Sequence, residues 1–388
     1  MVQRTRASRA LTLFLIAILL CMSALACASC GSSGGKQFSK DIQDQLNKAV
    51  DAKMAEFGVP GAIIYVAASG KGEWTALKGK ANIQTGEAPK QEDHVRIASI
   101  TKTFTATVIL QLVDEKKLSL DDTINKFGLS VTVPNGDKIT VRNLLNMTSG
   151  LYNYTDDQEN FWNKFLPNPT KPWTPEQLVG IANAHGPVSA PGQGYSYNNT
   201  NFILQGMIIE KLTGKSAGEE ITSRIIDKLG LKNTSFPTSS QMPKPFMNGY
   251  MPSAKVPVDV GGPAVKDITI ETPTAFFTAG GMISDLADMK IWLKALSDGS
   301  LVSPEMHKEQ LTFAPPNTTS YGLGVMNGGP LIGHPGEITG YNLAAWIRPT
   351  TSDVTIIVFL NRYPSKVEGV SDQFFAEIIK VLEPLFSK

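Results

Sequence analysis

Residues 95–113 read Val-Arg-Ile-Ala-Ser-Ile-Thr-Lys-Thr-Phe-Thr-Ala-Thr-Val-Ile-Leu-Gln-Leu-Val. The first four residues are typical of an extended segment, and the run from Phe104 to Val113 is apolar almost all round, which predicts a helix buried in a core. Ser99 and Lys102 lie at the junction, three residues apart and on the same face of a helix start. A serine hydroxyl becomes a good nucleophile when a neighbouring base removes its proton, and a lysine can be that base if burial lowers its pKa. The stretch therefore predicts a strand-to-helix turn that carries a candidate nucleophile and its base.

The spacing of Ser99 and Lys102 is weak evidence alone, because about one or two Ser-x-x-Lys matches are expected by chance in a chain of this length. A second match occurs at Ser33 and Lys36, and residues 31–35 also form a Gly-x-Ser-x-Gly match. Neither has the strand, turn and helix pattern that a nucleophile motif requires. Ser99 could still be only the N-cap of a helix, since serine is a favoured capping residue. Further residues must decide its role.

The bulk composition is that of an ordinary folded protein. The chain has 388 residues, of which 42% are hydrophobic and 18% charged, and its formal net charge is +1. This length suffices for two domains or one large one. The balanced charge gives no support for nucleic-acid binding or for a broad basic face that binds membranes.

The first 26 residues have the pattern of an export signal, with three arginines, an apolar run at 11–20 and small residues before Cys27. The apolar run is short for a transmembrane helix, although a retained N-terminal anchor is the alternative. The three cysteines all precede residue 31, so no disulfide is expected in the folded part.

The segment Ser23-Ala24-Leu25-Ala26-Cys27 resembles the lipobox of bacterial lipoproteins, in which the cysteine is acylated and becomes the new N-terminus. Residues 27–37 then form a flexible tether. The sequence thus predicts export and a lipid anchor on Cys27 at the outer face of a bacterial membrane, with simple secretion after Ala26 as the alternative.

Hydrophobic periodicity and turn residues predict the main elements along the rest of the chain. These are a helix from a Ser39 cap to about Phe57, a hairpin of Ala62–Val66 and Glu73–Leu77, a helix that starts at a Thr174 cap, a helix over Asn201–Leu212 closed by Gly214, strands Leu343–Ile347 and Val354–Leu360, and a helix over Ser371–Phe386. Strands near both ends and a helical middle predict an α+β fold, with one antiparallel sheet flanked by helices and built from both chain ends. The expected parts are a sheet domain of residues 38–105 and 272–388 and a mainly helical inserted domain of residues 106–271.

Two more segments combine with Ser99 and Lys102. Tyr197-Asn198-Asn199 is the only Tyr-x-Asn in the chain and precedes a helix, and His334-Pro335-Gly336 precedes the C-terminal strand hairpin. The order Ser-x-x-Lys, Tyr-x-Asn, His-x-Gly resembles the serine β-lactamase and penicillin-binding superfamily, in its branch of class C β-lactamases, D-alanyl-D-alanine carboxypeptidases and related esterases. The resemblance runs from about residue 40 to 385, implies a β-lactamase/transpeptidase-like fold, and is supported by flanking segments at Gln111–Glu115, Thr140–Leu145, Thr148–Leu151 and Thr278–Ser284.

The resemblance implies three catalytic side chains. Ser99 would attack an acyl carbon and form an acyl-enzyme, with Lys102 as its proton partner. Tyr197 would return a proton to the leaving group. To act as a base it would need a lowered pKa, which nearby cations can provide.

The resemblance also implies a set of substrate-binding residues. Asn199 would hydrogen-bond the substrate amide and Lys102, and His334 takes the place of the lysine in the third motif of related enzymes. Gly336 would let the substrate lie along the strand edge. The backbone N–H groups of Ser99 and Glu337 would form an oxyanion hole.

Several alternatives remain open at this point. A Ser-His-Asp triad built on Ser99 and His334 is possible but leaves Lys102 and Tyr197 without roles. Tyr197 could be a core tyrosine in a turn, and His334 a structural loop residue. The four histidines have no metal-ligand spacing, so the sequence disfavours a zinc hydrolase and predicts no cofactor.

Two departures from the family pattern bear on the substrate. Many carboxypeptidases of this branch carry His-Thr-Gly, whereas Pro335 offers neither a hydroxyl nor an N–H. Met326 stands where some of them carry an arginine that pairs with a substrate carboxylate. Losing this charge-assisted pair weakens selection for a free C-terminal carboxylate and favours an esterase or a peptidase acting on other substrates. Six aromatic residues form either an apolar substrate pocket or ordinary core, namely Tyr152, Tyr154, Phe161, Trp162, Phe276 and Phe277.

The sequence therefore predicts a serine hydrolase of the D,D-carboxypeptidase, β-lactamase or esterase type. Its expected partner is a small-molecule or peptidoglycan-peptide substrate. No nucleic-acid partner is expected. A carboxylesterase of the same fold is one alternative. A penicillin-binding-type surface lipoprotein that keeps the fold without catalysis is the other.

Overall fold

A computed structural model describes residues 35–252, 265–313, 321–351, 353–363 and 369–386. The predicted export signal, the lipidation site Cys27 and most of the tether lie outside these ranges and stay predictions. Within the ranges, no helix combines the length and the apolar character needed to cross a membrane.

The principal sheet has six strands in the order β2-β1-β10-β9-β8-β7, and every neighbouring pair is antiparallel. Two short pairs, β3 with β6 and β4 with β5, lie apart from it. The strands are β1 Gly61–Ala68, β2 Gly72–Gly79, β3 Val95–Arg96, β4 Tyr250–Pro252, β5 Val265–Asp267, β6 Ile283–Ser284, β7 Met326–Gly328, β8 Leu331–Ile338, β9 Tyr341–Ile347 and β10 Val354–Leu360. Since β1 pairs with β10, the predicted α+β sheet built from both chain ends is confirmed.

Helices cover the sheet and form most of the middle of the chain. They are α1 Lys40–Phe57, α2 Thr101–Asp114, α3 Val141–Leu145, α4 Asn163–Phe165, α5 Pro175–His185, α6 Asn199–Thr213, α7 Ala217–Ile221, α8 Asp227–Leu229, α9 Phe277–Gly280, α10 Leu286–Asp298, α11 Pro304–Gln310 and α12 Val370–Phe386. Short 3₁₀ turns span Ala98–Ile100, Ile124–Phe127, Tyr154–Asp156 and Pro273–Ala275, and π turns span Gln158–Trp162 and Thr222–Ile226.

Two hydrophobic cores lie on the two faces of the sheet. Alternate residues of β1 point to opposite faces, so Ile64 packs in the core shared with α1 and α12 while Ile63 packs in the larger core shared with α2 and α6. Strand β9 is buried along its whole length, as is expected for a strand covered on both sides. The larger core holds the buried helix α2 that follows Ser99.

Most of the predicted elements are confirmed, including the Ser39 and Thr174 caps and the buried helix after Ser99. The helix expected from Asn201 begins at Asn199. Its N-cap residue Asn198 makes no side-chain capping bond, and the Asn199 N–H donates instead to Asn153 Oδ1, which is distant in sequence. The short β4–β5 pair lies inside the segment expected to be mainly helical. The boundaries of an inserted helical domain at 106–271 stay a prediction.

Candidate active site

Ser99 is half-buried within the tight turn that links β3 to α2. Ala98 just before it has φ 49°, a left-handed conformation that strains a residue with a Cβ. The turn is fixed from behind, since the Ile97 N–H donates to the Met282 carbonyl at 3.0 Å and the Met282 N–H donates to Thr101 Oγ1 at 3.2 Å. Such strain is found where the surrounding structure over-determines a functional conformation.

Lys102 is fully buried and its Nζ contacts three oxygens. Asn199 Oδ1 and the Ala279 carbonyl lie 2.7 Å away, and Ser99 Oγ lies 3.0 Å away. The first two oxygens only accept hydrogen bonds, whereas the serine hydroxyl can also donate. A neutral amine would spend its two N–H groups on the two acceptors and direct its lone pair to the Ser99 hydroxyl. The contact set therefore suits a base at Ser99.

Burial lowers the pKa of Lys102 well below its usual value. No carboxylate contributes to this shift, so desolvation of the ammonium form acts without compensation. The lowered pKa of Lys102 agrees with its hydrogen bonds, because a neutral amine satisfies both acceptors and keeps a lone pair for Ser99.

Tyr197 reaches Ser99 from the other side, and its hydroxyl donates to Ser99 Oγ at 2.8 Å. Its ring lies 4.9 Å from Lys102 Nζ. Burial raises the pKa of Tyr197, although the hydrogen bond to Ser99 opposes this. This is opposite to the lowered pKa that a tyrosine base would need, because the effect of burial exceeds that of the hydrogen bond to Ser99. These two directions favour a protonated Tyr197 that donates to Ser99 and a Lys102 that can lose its proton.

Asn199 is held in one orientation by a loop that sequence reasoning missed. Its Nδ2 donates to Thr155 Oγ1 at 2.9 Å, and its backbone N–H donates to Asn153 Oδ1 at 3.0 Å. These contacts turn Oδ1 towards Lys102. One N–H of the side-chain amide remains for a substrate carbonyl. In the sequence, the loop that carries Asn153 and Thr155 is marked only by these polar residues.

His334 is buried on β8 and is neutral. Its Nδ1 lies within hydrogen-bond distance of the Pro335 carbonyl, which can only accept, so Nδ1 carries the proton. Nε2 then accepts from the Tyr321 hydroxyl at 3.0 Å. Burial, followed by the charge of Lys102, lowers the pKa of His334 to about 3. Both ring nitrogens are used, so His334 does not contact Ser99 as a triad histidine would.

Gly336 brings β8 against residues 97–100, the turn that carries the candidate nucleophile Ser99 and is called the nucleophile turn. A Cβ placed on it would lie 2.8 Å from the Ile97 carbonyl oxygen and 3.2 Å from Ala98 Cβ. Glu337 follows on the same strand, and its carboxylate accepts from Asn342 Nδ2 at 2.8 Å and from the Gly369 N–H at 3.3 Å. The backbone of Glu337 thus lies next to the segment that carries Ser99.

The two residues that depart from the family pattern lie on the neighbouring strands β8 and β7. Pro335 pairs with Ala344 of β9, and Met326 begins the edge strand β7 opposite Gly333 of β8. Met326 packs against both hydrophobic cores. Neither residue brings a cation to the strand.

The aromatic residues divide between core and periphery. Tyr154 and Phe161 are fully buried and meet edge to face at 5.0 Å, which favours core packing for these two. Tyr152 stacks on His185 at 4.0 Å.

In the described ranges, no group of three or more His, Cys, Asp or Glu side chains could hold a metal ion.

Residues 46–378 match the protein family described as Beta-lactamase, and the chain belongs to this family. It is a member of the serine hydrolase superfamily of the β-lactamase and penicillin-binding type, as the sequence motifs predicted.

Two solved amidases resemble the chain along most of its length. The D-stereospecific amidohydrolase from Streptomyces sp. is 35% identical, with a TM-score of 0.74 over 86% of this chain and 97% of that chain. The D-amino acid amidase from Ochrobactrum anthropi SV3 is 26% identical, with a TM-score of 0.76 over 90% of this chain and 100% of that chain. Protein flp of Staphylococcus aureus (strain N315) is 26% identical over 351 residues, which are 87% of this chain and 67% of that protein.

Proposed function

We propose that this protein hydrolyses amide bonds of D-amino-acyl substrates through an acyl-enzyme on Ser99. The observation that carries the proposal is the pair of contacts to Ser99 Oγ, from Lys102 Nζ at 3.0 Å and from the Tyr197 hydroxyl at 2.8 Å. The preference for a D-acyl group rests on the likeness to the D-stereospecific amidohydrolase and the D-amino acid amidase.

The acylation step uses each contact in turn. Lys102 takes the Ser99 hydroxyl proton as Oγ attacks the substrate carbonyl, and the resulting oxyanion is bound by the N–H groups of Ser99 and Glu337. As the C–N bond breaks, Tyr197 gives its proton to the leaving amine. Protonated Lys102 then stabilises the phenolate and returns the proton to it. Water then attacks the ester carbonyl of the acyl-enzyme and gives a proton to Tyr197 or Lys102. As the bond between the acyl carbon and Ser99 Oγ breaks, Ser99 Oγ regains a proton and the acid leaves.

The charge at the site favours a substrate without a free carboxylate beside the scissile bond. Lys102 is driven towards its neutral form, and His334 is neutral above a pH of about 3. Pro335 offers no hydrogen-bond donor, and Met326 offers no charge. Since a carboxylate gains most from a charge-assisted pair, amides and esters suit this site better than a C-terminal D-Ala-D-Ala peptide.

A substrate panel tests the proposal. We expect D-phenylalanine amide to be hydrolysed much faster than L-phenylalanine amide, a D-Ala-D-Ala peptide or a chromogenic cephalosporin. Ser99→Ala should abolish hydrolysis and labelling by a fluorophosphonate probe. Ser223→Ala is the matched control, because Ser223 is exposed and, among the residues that the structure describes, its hydroxyl bonds only to the helix carbonyls of Glu219 and Glu220. Equal labelling of Ser99→Ala and wild type would refute the nucleophile, and hydrolysis of p-nitrophenyl esters without hydrolysis of any amide would identify a carboxylesterase instead.

A further inference from the structure

A buried ion pair that the proposed reaction does not use lies behind the nucleophile turn. The side chains of Arg96 on β3 and Glu271 are 2% and 1% exposed, and Arg96 Nε lies 3.6 Å from Glu271 Oε1. Glu271 Oε2 accepts a short hydrogen bond from Thr339 Oγ1, in the turn between β8 and β9. Within the described part of the chain, neither Arg96 Nε nor Glu271 Oε1 has a hydrogen-bond partner.

The rest of the Arg96 side chain holds backbone. Its Nη2 lies within hydrogen-bond distance of three carbonyl oxygens, those of Ser240 at 3.1 Å, Thr269 at 3.1 Å and Glu271 at 2.9 Å, which share its two N–H groups. Arg96 thus fixes the backbone around Glu271 as well as facing its carboxylate.

These three side chains join the three segments that form the candidate active site. Arg96 is three residues before Ser99, Glu271 is eight before Ala279, whose carbonyl accepts from Lys102, and Thr339 is two after Glu337. At Gly336, β8 and the nucleophile turn pack so closely that a Cβ would not fit between them. A small displacement of the strand or of the turn therefore changes the distance between Glu337 and Ser99.

Stability alone does not explain why charges are buried here. Replacing a buried ion pair by apolar residues of similar volume is often neutral or stabilising, because the attraction seldom exceeds the desolvation of both charges. We propose that ionised Glu271 is a positioning residue that fixes β8 against the nucleophile turn and thereby sets the spacing of the two oxyanion donors. This inference deepens the proposed function and rests on it.

The ionisation of Glu271 falls in the neutral range. Burial raises the pKa of Glu271 to about 7, against the opposing effects of the Arg96 charge and the Thr339 hydrogen bond. The other titratable group that faces it is Tyr341 on β9, which stays protonated because burial raises its pKa. Below this pH Glu271 is neutral and its attraction to Arg96 is lost, so kcat should fall.

Glu271→Gln keeps the size of the side chain and removes its charge. We expect kcat above pH 7 to fall at least tenfold with KM within twofold, and the step near pH 7 to disappear from the kcat profile. Thr339→Val should also lower kcat, and Thr339→Ser should restore it. Glu220→Gln is the matched control, since Glu220 is a buried acid hydrogen-bonded to Arg224 in another part of the chain, and it should leave kcat and its pH profile unchanged.

Hydrogen exchange gives a readout that does not depend on turnover. Glu271→Gln should speed amide exchange in residues 97–101 and 334–341, and Glu220→Gln should not. A Glu271→Gln protein with the wild-type pH profile and wild-type exchange in both segments would overturn the inference. If Glu271→Gln does not fold, Thr339→Val carries the same two measurements. Failure of the proposed function is distinguished by equal probe labelling of Ser99→Ala and wild type, and exchange still decides the positioning role in that case.

Discussion

Replacing Gly336 by alanine tests how closely β8 and the nucleophile turn are matched. Gly336 has an ordinary strand conformation, so the effect is steric rather than torsional. The new Cβ would lie 2.8 Å from the Ile97 carbonyl oxygen, 3.2 Å from Ala98 Cβ and 3.3 Å from Leu343 Cδ1. The first contact involves backbone, which no side-chain rotation can relieve.

The magnitude follows from that first contact. Strand and turn must separate by roughly 0.6 Å to reach ordinary van der Waals distance. Oxyanion donors act at about 2.7–3.1 Å, so this shift weakens most of the hydrogen bond from one of the two N–H groups. The expected fall in kcat is roughly 10²–10³-fold, which corresponds to a rise in the activation free energy of about 2.7–4 kcal/mol. Overpacking should also lower the free energy of unfolding by about 1–3 kcal/mol.

The assay compares kcat, KM and urea unfolding of Gly336→Ala with those of Gly180→Ala. Gly180 is exposed on α5, and a Cβ there meets no atom within 4 Å. This control should keep its kcat and gain about 1 kcal/mol of stability, because alanine is the better helix former. A folded Gly336→Ala protein with kcat within threefold of wild type would refute the argument that β8 sets the site.

Three further predictions follow from Lys102, His334 and Ala98. Lys102→Arg replaces the amine by a guanidinium that stays charged and cannot act as a base, so fluorophosphonate labelling should slow by roughly 10²–10⁴-fold; labelling at the wild-type rate would contradict the role of the base. For His334, the native pKa of about 3 lies below the unfolded value of 6.5. The unfolded chain therefore binds a proton that the native protein does not, and unfolding free energy falls between pH 6.5 and about 3, by up to roughly 5 kcal/mol. His334→Gln should flatten this part of the urea-unfolding profile, and an unchanged slope would contradict it. Ala98→Gly removes left-handed strain of about 1–2 kcal/mol, partly offset by the entropy of glycine, and should raise unfolding free energy by roughly 1 kcal/mol; a decrease on urea unfolding would contradict this.

The sequence was informative where the signal is local. Two strand-like runs joined by turn residues predicted β1 and β2, and the apolar run after Ser99 predicted α2, because each of these signals lies within a few neighbouring residues. The three motifs predicted the family, and the structure brings Lys102, Tyr197 and Asn199 around Ser99.

The missed features depend on partners distant in sequence. The third contact of Lys102 is a backbone carbonyl at Ala279, and such a group leaves no mark in the residue type. The partner of His334 is Tyr321, and the partner of Glu271 is Thr339, neither of which has a local pattern. The pKa direction of Tyr197 was misjudged for a related reason, since motif spacing indicates a neighbouring cation and does not indicate how deeply both groups are buried.

The pairing of β1 with β10 joins Ala62 to Leu360. Such distant contacts form only after the entropy of closing a very long loop has been overcome. A ribosome-bound chain that ends before β8 already contains Ser99, Lys102, Tyr197 and Asn199, yet it lacks the strand against which the nucleophile turn packs. Hydrolytic competence should therefore arise in a single late step, when the last strands join the sheet. A C-terminal truncation should consequently behave as an all-or-none loss, and activity can report complete folding of the chain.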